Sequence, residues 1–189
     1  MLFNLPALSE TVRTILQKHA GAVLPLTRSP ENQNEDDAQR LRAASASSLF
    51  PGARQPEAAL SGLFLLLNCW EASHHLSQNI GSREGSYWHA IAHRMEPDSW
   101  NAGYWFRKVG KHPIFPELHA QAQRILDEKT ARSLEAHGRL KPGWDPFLFI
   151  EWCDEARAKP GTPGEEAAEA IQRAEWQLLF EWCAASEPE

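Results

Sequence analysis

Cysteine, methionine and tyrosine are scarce in this chain of 189 residues, at three, two and two copies. The cysteines, Cys69, Cys153 and Cys183, form no CxxC pair, which argues against thiolate zinc knuckles and a disulfide framework. Each sits beside a tryptophan, as a small buried thiol packed on an indole would. The opening residues MLFNLPALSE lack a basic region followed by a long apolar run, so the expected setting is a reducing cytoplasm. No apolar run approaches the ~18 residues of a membrane helix, and Leu60–Leu67 reads instead as core. Strand-like alternation is absent. So are the Gly-rich phosphate loop, the GxSxG elbow, the dinucleotide fingerprint, HExxH and the EF-hand loop. Positive charge is short as well: 19 Lys and Arg against 25 Asp and Glu leave a net charge of -6. Nucleic acids and anionic membranes require a positive surface and are not expected partners.

What remains is apolar and helical. Hydrophobic residues make up 42% of the chain, with eight Trp and eight Phe, enough to fill the core of one domain. The expected fold is all-α, a single-domain bundle of six or seven helices spanning residues 1–189. A first helix covers Ser9–Ala20, and polar residues 27–56 form an extended arm or loop anchored by Leu49 and Phe50, with room for a short helix at Asp36–Ala46. Pro56 opens a long central helix to about Asn79, apolar nearly all round at GLFLLLNCW. Helices follow over about Glu84–Met95, Ser99–Val109 (capped by Asp98), 116–138, and from Pro146 behind Asp145. Thr162 and Glu165 match a capping box for the last helix, and residues 184–189 are expected to be a disordered tail. Seven acids and one Arg lie from Pro160 onward, a solvated face rather than a site.

The chemistry concentrates in Tyr87–Pro113, YWHAIAHRMEPDSWNAGYWFRKVGKHP, with three of the eight histidines, three tryptophans and both tyrosines. Its four basic residues outnumber two acids in an acidic chain. His89 and His93, four apart, share one helix face, and Glu96 follows where Pro97 breaks the helix. On the preceding helix Glu71, His74 and His75 are spaced i, i+3, i+4. If the two helices form an antiparallel hairpin, His74 or His75 faces His89, and Glu71 approaches His93. Imidazole and carboxylate are ligands for zinc, iron and manganese, and bundles build such sites from facing helices. The metal candidates are therefore His74, His89, His93, Glu71 and Glu96, around one divalent ion.

Two other readings stay open: a metal-free polar network, and a pocket for an anionic small ligand. For the pocket the candidates are Arg94, Arg107, Lys108, His112 and Trp88, with Lys111 near by. Catalytic candidates, if the protein is an enzyme, are Arg94, Arg107, Glu96 and Tyr104, in a metal-dependent hydrolase or oxygenase. A non-catalytic interaction module would use the 27–56 arm and the acidic tail as contact surfaces. Oligomeric state is open.

Trp88, His89, His93, Arg94, Glu96, Asp98, Asn101, Ala102, Tyr104, Trp105, Phe106, Arg107, Gly110, His112 and Pro113 resemble a motif, WHxxxHRxExD…NAxYWFRxxGxHP, shared by an uncharacterised family of bacterial and fungal proteins. Ser73-His74 with Gln78, and the later WDPF and EWQLLFEWC, extend the resemblance over roughly residues 50 to 183. Met95 and Gly103 depart from it. The family has no assigned reaction, so the resemblance implies a site without naming a substrate.

Overall fold

A computed structural model describes residues 8–29, 34–130 and 142–186. They are all-α: α1 (Glu10–Lys18), α2 (Glu35–Arg42), α3 (Ala46–Leu49), α4 (Pro56–Leu66), α5 (Trp70–Gln78), α6 (Arg83–Met95), α7 (Ser99–Val109), α8 (Phe115–Thr130), α9 (Pro146–Arg157) and α10 (Pro163–Ala184). No helix among the described residues is long and apolar enough to cross a membrane.

The helix starts follow local capping chemistry. The Asp98 carboxylate accepts from the amide of Asn101 at the start of α7, and Asp145 accepts from Phe147 and Leu148 at the start of α9. Thr162 accepts from the Glu165 amide, while the Glu165 carboxylate reaches back to the amide of Gly161, one residue before the usual capping-box partner. Gly110 closes α7 at φ 61.

Among the described residues ten helices stand where six or seven were expected, for two reasons. The 27–56 segment carries α2 and α3, whose Leu41 and Leu49, with Phe50, are buried in the main core. The long helix expected from Pro56 is broken, because Asn68 adopts φ 59 and the chain restarts at Trp70. This break detaches the histidine-bearing turns, as α5, from the buried apolar α4. At the other end α10 runs through Ala184, the backbone of Arg54 and Gln55 donates to Ala185 and Cys183, and Ser186 bridges Ala53, so the first three residues of the expected tail are structured. Residues 30–33, the expected extension of α8 from 131 to 138, and the last three residues lie outside the described range.

The core centres on α4, α6 and α10. The Trp88 ring on α6 lies on Gly62 of α4, where an added Cβ would stand 2.6 Å from it, and Trp176 of α10 donates to the Gly62 carbonyl at 2.7 Å. A smaller cluster joins α8, α9 and α10 around Leu118, Phe149, Trp152 and Ile171. α5 and α6 form a hairpin whose four-residue connection is as tight as glycine permits. A Cβ on Gly85 would meet the Ile80 carbonyl oxygen at 2.4 Å. That hairpin positions the site.

Candidate metal centre

His74 on α5 and His89 and His93 on α6 turn their rings toward one another. The separation is 3.1 Å between the Nε2 atoms of His89 and His93, and 3.4 Å between those of His74 and His93. His74 and His89 are 4.3 Å apart between ring centroids. Two nitrogen donors held ~2.05 Å from a tetrahedral ion lie ~3.3 Å apart, so both separations suit adjacent ligands of one ion.

Each ring is backed by a fixed environment. His89 Nδ1 lies 3.2 Å from the His74 carbonyl oxygen and 3.1 Å from Ser77 Oγ. A carbonyl only accepts, so Nδ1 carries the proton and Nε2 presents its lone pair to the cluster. Behind His93, Nδ1 has the Glu96 and Asp98 carboxylates at 3.4 and 3.8 Å and no closer acceptor. With its proton on Nδ1, toward these carboxylates, His93 also presents a lone pair at Nε2; with the proton on Nε2 it donates to His89 Nε2. In the first arrangement two lone pairs face each other at 3.1 Å and repel unless a cation or a proton lies between them. A proton is disfavoured there: burial, then the neighbouring imidazoles, lower the pKa of His89 to about 3. His74 is lowered first by burial and then by His93, and burial outweighs the carboxylates at His93. The rings are neutral near pH 7, the protonation state a metal requires.

The surroundings hold the rings rigid. The Trp70 indole stacks on His74 at 4.6 Å while donating to the Ala92 carbonyl at 2.7 Å. Trp105 meets His89 edge-on at 4.3 Å. Arg28 lies over Trp70 and pairs with Glu96 at 3.4 Å. His89 and His93 are buried and His74 is half-buried, so solvent reaches the cluster chiefly at His74.

The structure separates the other candidates. His74 rather than His75 faces α6; His75 is exposed beside Gln78. Glu71 is exposed and stands apart from the converging nitrogens. Glu96 lies on the Nδ1 side of His93, where it forms with Asp98 and His93 a second group of possible metal ligands, apart from the Nε2 atoms. Arg94 is fully buried on another face of α6, paired with Glu175 and bonded to Gln172 Oε1 at 3.1 Å, so it holds α6 to α10 and does not meet a ligand. Tyr87 donates to the same Glu175 at 2.9 Å, and Gln172 reaches the Leu24 and Pro25 carbonyls. Trp88 is core. His112 is buried against Glu84, Tyr87 and Trp182 and is closed to a ligand. Arg107, Lys108 and Tyr104 do reach the surface.

Ser77, the His74 carbonyl and Trp70 belong to the site but were not singled out from the sequence. Ser77 was findable, three residues beyond His74 on the same helix face. The carbonyl carries no side-chain signal at all. The three thiols are buried, and burial pushes Cys153 up to about 12, away from the thiolate form.

Compared with known protein families, curated proteins and solved structures, the chain matches none. The resemblance of residues 87–113 therefore rests on the residues of that motif.

Proposed function

We propose that this chain is a helical metal-binding protein in which His74, His89 and His93 hold one divalent ion through Nε2. Glu96 and Asp98 orient His93, and Ser77 with the His74 carbonyl orients His89. The observation that carries this reading is the convergence of Nε2 atoms at 3.1 and 3.4 Å, with a carbonyl behind His89 Nδ1 and carboxylates behind His93 Nδ1. Histidines held from behind by a carboxylate or carbonyl are the usual outer arrangement of a metal site.

Three nitrogen donors with an open fourth position suit zinc. Non-haem iron oxygenases use two histidines and a carboxylate on the ligand side, where Glu96 is not found. The reading therefore favours hydrolysis over oxygenation. Zinc so held supplies Lewis acidity and a water acidified toward neutral pH. The chain's own residues fix the donors, shield two of the three rings from solvent, and leave an approach at His74.

Metal analysis of untagged protein, before and after zinc loading and desalting, should find one ion per chain in the wild type and none in a His89→Ala/His93→Ala variant. Asp98→Asn with Glu96→Gln should keep the ion but bind it about 10–100-fold more weakly, since both act from behind His93. A wild type that remains metal-free after loading overturns the proposal. One observation favours a second reading, a metal-free polar network: 3.1 Å between His89 and His93 is also a hydrogen-bond distance. In that case the double variant loses stability although the wild type never takes up metal.

A further inference from the structure

The outward face of α7 carries residues that no core contact explains. Trp100 is 74% exposed and Tyr104 40%, and their rings lie parallel, with an interplanar angle of 8° and centroids 6.3 Å apart. Most exposed large apolar side chains occur singly; two stacked ones beside a third are a surface kept for contact. The third is half-buried Trp105, edge-on to Tyr104 at 5.5 Å. Lys108 places its ammonium 4.1 Å from the Trp105 ring centre and 4.8 Å from that of Tyr104. Among the described residues no carboxylate lies within 4.0 Å of Lys108 or of exposed Arg107, in a chain of net charge -6. An unpaired cation thus rests on an aromatic surface. Trp105 turns its other contact inward, onto His89 of the three-histidine cluster.

We propose that Trp100, Tyr104, Trp105 and Lys108 form a subsite for a flat-ringed small anion, which they bring to the edge of the histidine centre. The rings take the flat face of the ligand by stacking, and Lys108 takes its negative group in a charge-assisted hydrogen bond. A small molecule rather than a protein partner is indicated because the surface continues through Trp105 to a buried cluster. A carboxylate and a phosphate monoester share this chemistry. The substrate class for the hydrolytic reading is then a phosphate monoester of an aromatic or heterocyclic alcohol, which water cleaves to the alcohol and phosphate; an aromatic carboxylate is a ligand only. This substrate assignment rests on the metal reading; the binding surface itself does not.

Calorimetric titration of the full chain, stripped of metal by chelation, with 2-naphthoate and with 1-naphthyl phosphate tests the subsite. At least one should bind, and the tighter one identifies the anionic group. Lys108→Gln should weaken that binding by about tenfold, the loss of one charge-assisted contact. Tyr104→Ala should weaken it several-fold, and neutral 2-naphthol should bind less well than either anion. Both positions are at the surface, and circular dichroism of the variants checks that the fold is kept. Absence of binding by both anions, or unchanged affinity in Lys108→Gln, overturns the proposal. Naphthoate binding in a protein that takes up no zinc would leave the subsite standing and count against the metal centre alone.

Discussion

At the scale of single residues, this protein makes its charged groups act in buried pairs. Glu84 accepts from the Trp182 indole at 3.0 Å and faces His112 at 3.6 Å. The neighbouring His112 imidazole is the largest influence on it, ahead of the opposing cost of burial, and its pKa falls from the ordinary 4.5 to about 2. A carboxylate depressed on folding stabilises the fold above its unfolded value, and that contribution disappears as pH falls through the folded one. The window is therefore pH 4.5 down to about 2, and the contribution at stake is at most about 3 kcal/mol. Glu84→Gln should lower stability at neutral pH and flatten its dependence on acid across that window, as read from urea unfolding midpoints. Equal acid sensitivity in both proteins would show that Glu84 contributes nothing there. None of this coupling is visible in the sequence, since Glu84 and Trp182 are 98 positions apart.

Between elements, the closeness of α5 and α6 decides whether three histidines can meet. His89 and His93 share a face by helical geometry alone, and that much was legible in their spacing. His74 joins them only because the turn 79–82 is tight enough for the Ile80 carbonyl to lie where a Cβ of residue 85 would be. Gly85→Ala forces that turn apart. It should cost about 1–3 kcal/mol of stability, as overpacking does. It should also reduce zinc affinity more than Gly81→Ala, where nothing lies within 4 Å of the added methyl. Comparing thermal unfolding and zinc titrations of the two variants checks this. Similar behaviour would mean that the hairpin has slack and the cluster does not depend on it. The break at Asn68 belongs to the same scale. An unbroken helix from Pro56 would place His74 by the register of α4, whereas the restart at Trp70 lets α5 face α6 on its own terms.

Over the whole molecule, one buried network ties the site helix to the frame. Arg94 and Glu175 have no exposed side-chain surface; Tyr87 donates to Glu175 and Gln172 accepts from Arg94 Nε. Gln172 and Arg157 carry the connection on to residues 24–26, and the amide of Arg28 donates to Met95 at the end of α6. Removing one partner of a fully buried pair leaves the other charge uncompensated. Arg94→Met should cost about 3–5 kcal/mol in chemical denaturation, and Arg94→Met/Glu175→Gln distinctly less than the two single costs added. Strict additivity would mean that the two residues do not act as a pair. The sequence marks Arg94 as important and leaves its role ambiguous. A cation one residue from His93 fits a ligand clamp as well as a structural pair until the position of α10 is known.

Composition, caps and periodicity by themselves determined the all-α class, most helix boundaries, and the pairing of His89 with His93, because each depends on contacts within a few residues. Tertiary structure decided which imidazole completes the cluster and on which side of His93 the carboxylates lie. It also decided that Arg94, Trp88 and His112 serve the core while Lys108 and Tyr104 face solvent. Those outcomes depend on which helix packs against which, and at what distance. Burial then sets the chemistry: the same ring is a free base at a closed interface and a titrating group in water.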